Sequence, residues 1–208
     1  MTNKTTTSES IAPAHKEETN HSPSESTTKA TSILEEVSRV IARVSDSSVT
    51  ELATLLANGG RIFVTGEGRS GFMAKSFAMR LMHLGADSHV IGETVTPSLA
   101  AGDILIAVSG SGTTKAAVWT AEKARELGCT IVAVTTDEAS PLGQLAHHVL
   151  HIPAATKYRR EGEPASIQPL GSLFDQCTHI LLDAVCLSYG EQQHIEHGQA
   201  FAKHSNVE

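Results

Sequence analysis

Five short apolar runs, rich in β-branched side chains, limit the folds open to this chain more than any other feature. They cover residues 61–65, 88–91, 104–108, 130–134 and 148–152. Such runs, without polar alternation, are typical of strands buried on both faces. Helical patterns at about 72–84, 114–127 and 141–146 separate most of them, and a longer one at about 171–189 follows the last. The alternation predicts an α/β fold, with a five-stranded parallel sheet and helices on both faces.

Two helical patterns precede the first run. Ser32 and Glu35 have capping-box spacing, and apolar residues at helical spacing follow as far as Val44, which predicts an amphipathic helix. Ser48 and Glu51 repeat the signal before a shorter helix that ends near residues 58–60. Both helices are expected to belong to one domain that spans residues 31–208.

Residues 1–30 have a different composition from the rest of the chain. They hold 12 Ser or Thr, and their only large apolar side chains are those of Met1 and Ile11. Since so few apolar groups cannot offset the entropy of ordering the segment, we expect a disordered tail. A transit peptide is the alternative interpretation, but four glutamates and the absence of arginine count against it.

Charge and hydropathy exclude several classes of protein. A formal charge of -7 argues against nonspecific nucleic-acid binding, which needs clustered Lys and Arg. No apolar run approaches the roughly 18 residues of a membrane span, and no hydrophobic signal core is present, so a cytoplasmic protein without a membrane partner is expected. The three cysteines, at 129, 177 and 186, lack CxxC spacing and are expected to be buried apolar fillers.

Two segments of the chain repeat one architecture. Residues 61–85 and 104–128 each contain a strand, a glycine-rich loop, a helix and a closing Leu-Gly pair. In a parallel sheet both loops would lie at the carboxyl ends of strands, the edge where open α/β sheets bind their ligands. The two loops are therefore the candidate ligand-binding elements.

The second loop, "SGSGTT", has the composition of a phosphate cradle. Its glycines let backbone N–H groups converge, the following helix presents its positive end, and four hydroxyl groups are available, from Ser109, Ser111, Thr113 and Thr114. The alternative is a turn whose hydroxyl groups only cap the helix. That alternative does not account for so many donors in six residues.

The first loop, "GEGRSG", matches the GxGxxG dinucleotide fingerprint through its glycines Gly66, Gly68 and Gly71. Glu93, after the second strand, lies where a ribose-binding acid would be. Arg69 and Ser70 crowd the turn, however, and no segment remains for a catalytic domain, so we favour a phosphate ligand over a dinucleotide. Arg69 would be a fixed cation for phosphate or for a developing oxyanion, or else part of a surface ion pair.

The two loops together resemble the sugar isomerase (SIS) domain, a flavodoxin-like fold whose second loop has the pattern S-x-S-G-x-T. The motifs "FAMRLMHLG" at 77–85, "GETVTPS" at 92–98, "QPLGSLFD" at 168–175 and the closing "KHSNVE" resemble those of 6-phospho-3-hexuloisomerases over about residues 31–208. The resemblance implies an enzyme that interconverts D-arabino-3-hexulose 6-phosphate and fructose 6-phosphate through an enediolate. It implies no redox cofactor, and a role in formaldehyde fixation or its reverse, pentose supply.

The resemblance also implies roles for individual residues. Phosphate would be held by the hydroxyl groups of Ser109, Ser111 and Thr114, with help from Ser70. The family places a catalytic glutamate where Asp175 stands. Because aspartate is one methylene shorter, either its helix lies closer to the substrate or the base lies elsewhere.

Asp175 falls away from the apolar stripe of its predicted helix, so it is not expected to point into the core. Alternatively, it is an acid that the macrodipole favours in a first helical turn. His204 matches a histidine that the family directs into a neighbouring subunit's site, where an imidazole suits a proton shuttle. The alternative is an ordinary solvated histidine in a polar tail. Glu93 and Thr94 are expected to contact sugar hydroxyls, beside Gly68 in the first loop.

Other residues and other functions complete the expectations. The histidines at 147, 148, 151, 194 and 197 could suggest a metal site, but this chemistry needs no metal and none is expected. The interior is expected to contain the side chains of Trp119, Met73, Met79 and Met82.

Apolar surface on the first and last long helices predicts a homodimer or homotetramer. The rival functions are another phosphosugar isomerase, such as one for arabinose 5-phosphate, and a sugar-phosphate sensor without catalysis.

Overall fold

A computed structural model describes Met1 and residues 25–207 of the 208-residue chain. Its elements, in chain order, are α1 (Glu25–Ile41), α2 (Asp46–Asn58), β1 (Ile62–Gly66), α3 (Gly68–His83), β2 (Ser88–Val90), β3 (Ile104–Val108), α4 (Lys115–Glu126), β4 (Thr130–Thr135), α5 (Pro141–Leu145), β5 (His148–His151), α6 (Ser172–Gln192) and α7 (His197–Phe201). Each predicted strand is present, with bounds that differ by at most one residue at either end.

The five strands form one parallel sheet in the order β2-β1-β3-β4-β5. The predicted sheet is therefore confirmed. The order reverses between β1 and β3, so the connections that leave these strands depart in opposite directions along the sheet. A crevice forms outside the carboxyl ends of strands at such a switch point. Both glycine-rich loops border it, because one follows β1 and the other follows β3.

Alternate strand residues are buried on opposite faces of the sheet. Val64, Ile106 and Val134 belong to the core that α1, α2, α3 and α6 cover. Phe63, Leu105 and Ala133 belong to the core beneath α4 and α5. Both faces are thus shielded from water, which explains why the strands read as continuous apolar runs.

The repeated architecture ends as its sequence predicts. Leu84 and Leu127 cap the carboxyl ends of α3 and α4. The glycines that follow, Gly85 and Gly128, have φ of 92° and 84°, the left-handed conformation that glycine adopts without steric cost. Each unit therefore stops its helix by the same device before the next strand begins.

The start of α1 differs from the prediction. The helix begins at Glu25, and Ser32 lies inside it, where its hydroxyl donates to the carbonyl of Thr28 at 3.0 Å. A serine can satisfy its hydroxyl one turn back, so the capping-box spacing did not mark a helix start. Residues 25–30 of the predicted disordered tail are helical, and residues 2–24 lie outside the described part of the chain. The second helix is confirmed, with Ser45 instead of Ser48 before its first turn.

Burial confirms one expectation about side chains and contradicts another. All three cysteines are buried. Trp119, Met79 and Met82, in contrast, are exposed at 59%, 49% and 39%, so the prediction that they pack in the interior was wrong. Helical position alone did not show that no element among residues 25–207 covers these faces. No helix in the described part is both long and apolar enough to cross a membrane.

Candidate functional site

The first loop brings the end of β1 against the start of α3. A Cβ atom at Gly71 would lie 2.5 Å from the carbonyl oxygen of Gly66, so no side chain fits there. Gly68 has φ of 58°, and α3 begins at this residue, four positions before the predicted start. As a consequence, Arg69 and Ser70 lie in the first helical turn, at the crevice.

The second loop gathers hydroxyl groups before α4. The hydroxyl groups of Ser109 and Thr114 lie 2.9 Å apart and share one hydrogen bond, which leaves one of their two protons free for a ligand. Ser111 Oγ accepts from the N–H and the hydroxyl of Thr113, at 3.3 and 3.0 Å. The Ser111 proton is therefore also free to be donated. Four predicted phosphate-binding residues lie together, as the sequence indicates.

The two helices that start at the crevice have basic residues in their own first turns, although Glu67 is the N-cap of α3 and Asp175 of α6 pairs with Arg69. Neither α3 nor α4 has an acidic residue in its first turn, whereas α2 and α6 each have one. The first turn of α3 instead contains Arg69, and α4 begins with Lys115. Free N–H groups, the positive end of the dipole and a basic side chain make each terminus suited to an anion.

Helix α6 brings Asp175 to the first loop. Its Oδ1 accepts from the hydroxyl of Ser70 at 3.1 Å, and its Oδ2 lies 3.1 Å from Nε of Arg69. The same guanidinium donates through Nη1 to Ser172 Oγ at 3.2 Å. A residue 105 positions away in sequence thus meets the loop that borders the crevice. The aspartate is close enough to interact with both candidate substrate-binding side chains.

Asp175 is buried, with 5% of its surface exposed. The expectation that it would not point inward was wrong, because α3 covers the side of α6 that lies away from the apolar stripe. Burial raises the pKa of Asp175 above its ordinary value, and the contacts with Ser70 and Arg69 oppose this rise. A carboxylate with a raised pKa is a stronger base when it is ionised.

Glu93 and Thr94 follow β2 and are exposed. Glu93 Oε1 lies 2.6 Å from Nζ of Lys75, one turn beyond the first turn of α3. Both partners are about half exposed, so this ion pair adds little to stability and can open for a ligand. Lys75 lies on the same helix as Arg69, so the pair joins α3 to the segment that follows β2.

His204 lies at the other end of α3. Its ring stacks on that of His83, with centroids 5.3 Å apart, and burial together with the neighbouring His204 lowers the pKa of His83. Since His83 is 15 residues beyond Gly68, about 22 Å of helix separates His204 from the first loop. One chain therefore does not bring His204 and Asp175 together. A groove of about 840 Å³, lined in part by Arg80, His83 and His204, occupies this end.

Two of the histidines that could suggest a metal have other partners, whereas His148 Nε2 is buried without a hydrogen-bond partner in the described part of the chain. His147 Nδ1 accepts from the N–H of Ile131 at 2.9 Å, and His151 Nε2 lies 3.1 Å from the carbonyl oxygen of Thr136. Within residues 25–207, no three His, Cys, Asp or Glu side chains form a group that could hold a metal. These rings instead help to join β4 and β5 to their connections.

Sequence reasoning missed two residues of the site. Ser172 accepts from Arg69 at the start of α6, and Lys75 pairs with Glu93. The signal for Ser172 was its place at the start of the motif "SLFD", because a residue three positions before Asp175 lies on the same face of the helix. The sequence carries no comparable signal for Lys75, since its partner comes from a different element.

Comparisons with known proteins agree with this geometry. The family model described as SIS domain matches residues 55–178. The 3-hexulose-6-phosphate isomerase of Bacillus subtilis (strain 168) is 41% identical over 176 residues, which cover 85% of this chain and 95% of that protein. The enzyme of the same name from Mycobacterium gastri is 42% identical over 176 residues, covering 85% and 88%.

A solved structure extends the comparison to the backbone. It is that of a hypothetical protein from Methanococcus jannaschii, for which a molecular function of 3-hexulose-6-phosphate isomerase was inferred. It matches with a TM-score of 0.76 and 26% identity, covering 87% of this chain and 99% of that one. The likeness therefore extends over most of this chain and nearly all of that one.

Proposed function

Because this chain belongs to the SIS domain family, we propose that it is an isomerase that interconverts 3-hexulose 6-phosphate and fructose 6-phosphate. One observation carries the proposal: a buried aspartate on α6 lies at the same crevice as two helix N-termini that are suited to a phosphate. A phosphate group would anchor the sugar there, and the carboxylate would reach its carbon chain.

The reaction moves a carbonyl group from C3 to C2 without net oxidation. Asp175 removes the proton from C2, and the electrons of that bond form an enediolate whose negative charge lies on O3. A proton passes from O2 to O3, a proton returns to C3, and the carbonyl group then stands at C2. The guanidinium of Arg69, 3.1 Å from Asp175, is suited to stabilise the negative oxygen of the enediolate. The raised pKa of Asp175 brings its basicity closer to what proton abstraction at neutral pH requires.

The phosphate contacts are proposed from the hydroxyl protons of the second loop that are not already donated to another residue. Ser111 and the Ser109–Thr114 pair each have one hydroxyl proton to donate, and the first amide groups of α4 add to them. Thr113 lies beside them and uses its proton on Ser111. Ser70 gives its single proton to Asp175, so a phosphate contact from Ser70 requires that proton to turn away from the carboxylate. Glu93 and Thr94 are proposed to contact sugar hydroxyls.

A second subunit would complete the site. Apolar side chains on α3 and α6 are exposed, among them Phe72 at 65%, Met79 at 49% and Leu187 at 70%. Exposed apolar surface of this kind favours an oligomer, as the sequence predicts. His204, which is remote from Asp175 in its own chain, would then act as the acid or base in a neighbouring subunit's site.

Mixing two inactive variants tests this arrangement. Asp175→Asn and His204→Ala subunits, coexpressed with different tags and purified together, should regain part of the wild-type kcat. The mixed oligomer contains some sites that have both an intact aspartate and an intact histidine. Mixed oligomers no more active than either parent would refute the shared site.

The activity itself is tested by incubating the purified protein with 3-hexulose 6-phosphate and measuring fructose 6-phosphate. The same preparation is assayed with arabinose 5-phosphate and by calorimetric titration with fructose 6-phosphate. Turnover of arabinose 5-phosphate alone would favour the rival isomerase, and binding without turnover would favour a sensor.

On the basis of this activity, we further propose a role in formaldehyde fixation or pentose supply. Location in the cytoplasm stays a prediction of the sequence.

A further inference from the structure

Glu36, on α1, is a buried carboxylate whose hydrogen-bond partners come from one distant segment. Its Oε1 accepts from the N–H of Ile167 at 2.8 Å, and its Oε2 accepts from the Ser166 hydroxyl at 2.8 Å and from Nε2 of Gln168 at 3.2 Å. Only 5% of the residue is exposed. A buried carboxylate is costly unless it is fully hydrogen-bonded. Desolvation raises the pKa of Glu36, but the three hydrogen bonds and the nearby charge of Arg39 together outweigh it, so the pKa lies below its ordinary value.

The segment that Glu36 holds leads directly into α6. Residues 152–171 connect β5 to α6 without a helix or strand, and a connection of this length needs anchors to adopt one conformation. Near its end Leu170 has φ of 54°, a conformation that a leucine adopts only when its surroundings impose it. Glu36 is a fixed point for the residues just before this strained position, and the Arg159 guanidinium binds the carbonyl of Gln168 beside it.

The position of α6 determines the geometry of the site. The N–H of Ser172 donates to the carbonyl of Pro169 at 3.2 Å, so the first turn of α6 continues directly from the anchored segment. Ser172 and Asp175 then reach Arg69 and Ser70 by hydrogen bonds of 3.1–3.2 Å. A shift of the segment would lengthen these contacts, whereas the sheet and both glycine loops would keep their places.

We propose that Glu36 is a positioning residue for the isomerisation: it fixes the start of α6 and thereby holds Asp175 against Ser70 and Arg69. The inference rests on the proposed function, because it takes Asp175 as the base. Glu36 acts through the 166–168 segment and does not itself touch the substrate.

Asp103 provides a matched control. It is also 5% exposed and also accepts three hydrogen bonds, from Nε and Nη2 of Arg61 at 3.0 and 2.7 Å and from the N–H of Ala100 at 2.7 Å. It precedes β3, at the edge of the sheet opposite the crevice. Glu36→Gln and Asp103→Asn therefore make the same chemical change at comparable burial, and only the first lies next to the segment that leads to Asp175.

The experiment measures kcat, KM and amide hydrogen exchange of the full chain for wild type and both variants. Glu36→Gln should lower kcat by about 10- to 100-fold, the effect of a small misplacement of a reacting group, with KM within about twofold. Exchange should accelerate in residues 166–175 in this variant. Asp103→Asn, corrected for its folded fraction, should keep kcat within about twofold and leave exchange in 166–175 unchanged.

Two results separate the possible failures. A wild-type protein without isomerase activity would overturn the proposed function. An active wild-type enzyme whose Glu36→Gln variant keeps kcat, or loses no more of it than Asp103→Asn, would overturn this inference alone. If Glu36→Gln does not fold, Ser166→Ala removes one donor and keeps the carboxylate. It should then lower kcat in the same direction by a smaller factor, and an unchanged kcat would overturn the inference.

Discussion

Substitution of Gly112 by alanine tests how the second loop is built. Gly112 has φ of 64°, and a Cβ atom there would lie 1.9 Å from Oγ and 2.4 Å from Cβ of Ser140. Ser140 is the N-cap of α5, where its hydroxyl accepts from the N–H of Gly143 at 3.2 Å and donates to the carbonyl of Asp137 at 2.6 Å. The new methyl group must displace this cap or the loop itself.

Three contributions give the size of the expected change. A non-glycine residue in the left-handed conformation costs about 1 kcal/mol. Loss of a serine cap costs about 1 kcal/mol, and the residual overlap about 1 kcal/mol more. Gly112→Ala should therefore lower the free energy of unfolding by about 3 kcal/mol and raise KM, because the displaced loop carries Ser111. Gly102→Ala is the control, since Gly102 has φ of 89° with no atom within 4 Å, and should cost only about 1 kcal/mol.

Urea unfolding of Gly112→Ala, Ser140→Gly and the double variant measures the steric effect directly. Glycine at an N-cap costs only a few tenths of a kcal/mol, and it removes the two Ser140 atoms that the new methyl group would overlap, while Thr135 Oγ1 stays at 3.1 Å. The double variant should therefore be about 1–2 kcal/mol more stable than the sum of the single changes predicts, at an unchanged m-value. Additive changes, or a Gly112→Ala variant as stable as Gly102→Ala, would refute the reasoning.

Four further predictions concern charge and hydrogen bonding. Ser111→Ala should raise KM by about 10-fold with kcat nearly constant in steady-state assays, since it removes one donor to a charged group. Asp175→Asn should lower kcat by about 10²–10⁴-fold. Burial raises the pKa of Asp175, so ionisation of this carboxyl group destabilises the folded state. The Asp175→Asn variant should therefore unfold at higher urea concentration than wild type at pH 7. It should lose this advantage as the pH falls to the ordinary pKa of aspartate, 3.8, where the wild-type carboxyl group is protonated in both states. The pKa of Glu36 is lowered in the folded state, so the ionised carboxylate stabilises the fold fully above its ordinary pKa of 4.5. This stabilisation is lost as the pH falls from 4.5 through the lower pKa of the folded state. The urea midpoints of wild type and Glu36→Gln should converge over that pH range.

The sheet and both loops were predictable because each depends on local signals. A strand buried on both faces reads as a short apolar run, and turn or helical signals separate these runs along the chain. The loop hydroxyl groups lie within six residues of one another, so their convergence needs no distant contact. Leu84-Gly85 and Leu127-Gly128 likewise define two helix ends by local conformation alone.

What the sequence did not predict depends on contacts between distant elements. The helical wheel of α6 described one helix, whereas α3 buries the face that carries Asp175. Glu36 looked like an ordinary residue of an amphipathic helix, because its partners lie 130–132 positions away. Ser32 and Glu35 matched a capping box, yet the spacing alone does not determine whether a serine starts a helix or bonds back within one.

The first turns of α3 and α4, which lack acidic residues, affect how fast a substrate arrives. The chain carries a formal charge of -7, so a sugar phosphate dianion approaches against the field of the whole protein and is attracted only close to these helix ends. Added salt screens the long-range repulsion more than the short-range attraction, since the Debye length is about 10 Å at 0.1 M. The association rate constant should consequently rise with ionic strength, the reverse of ordinary electrostatic steering.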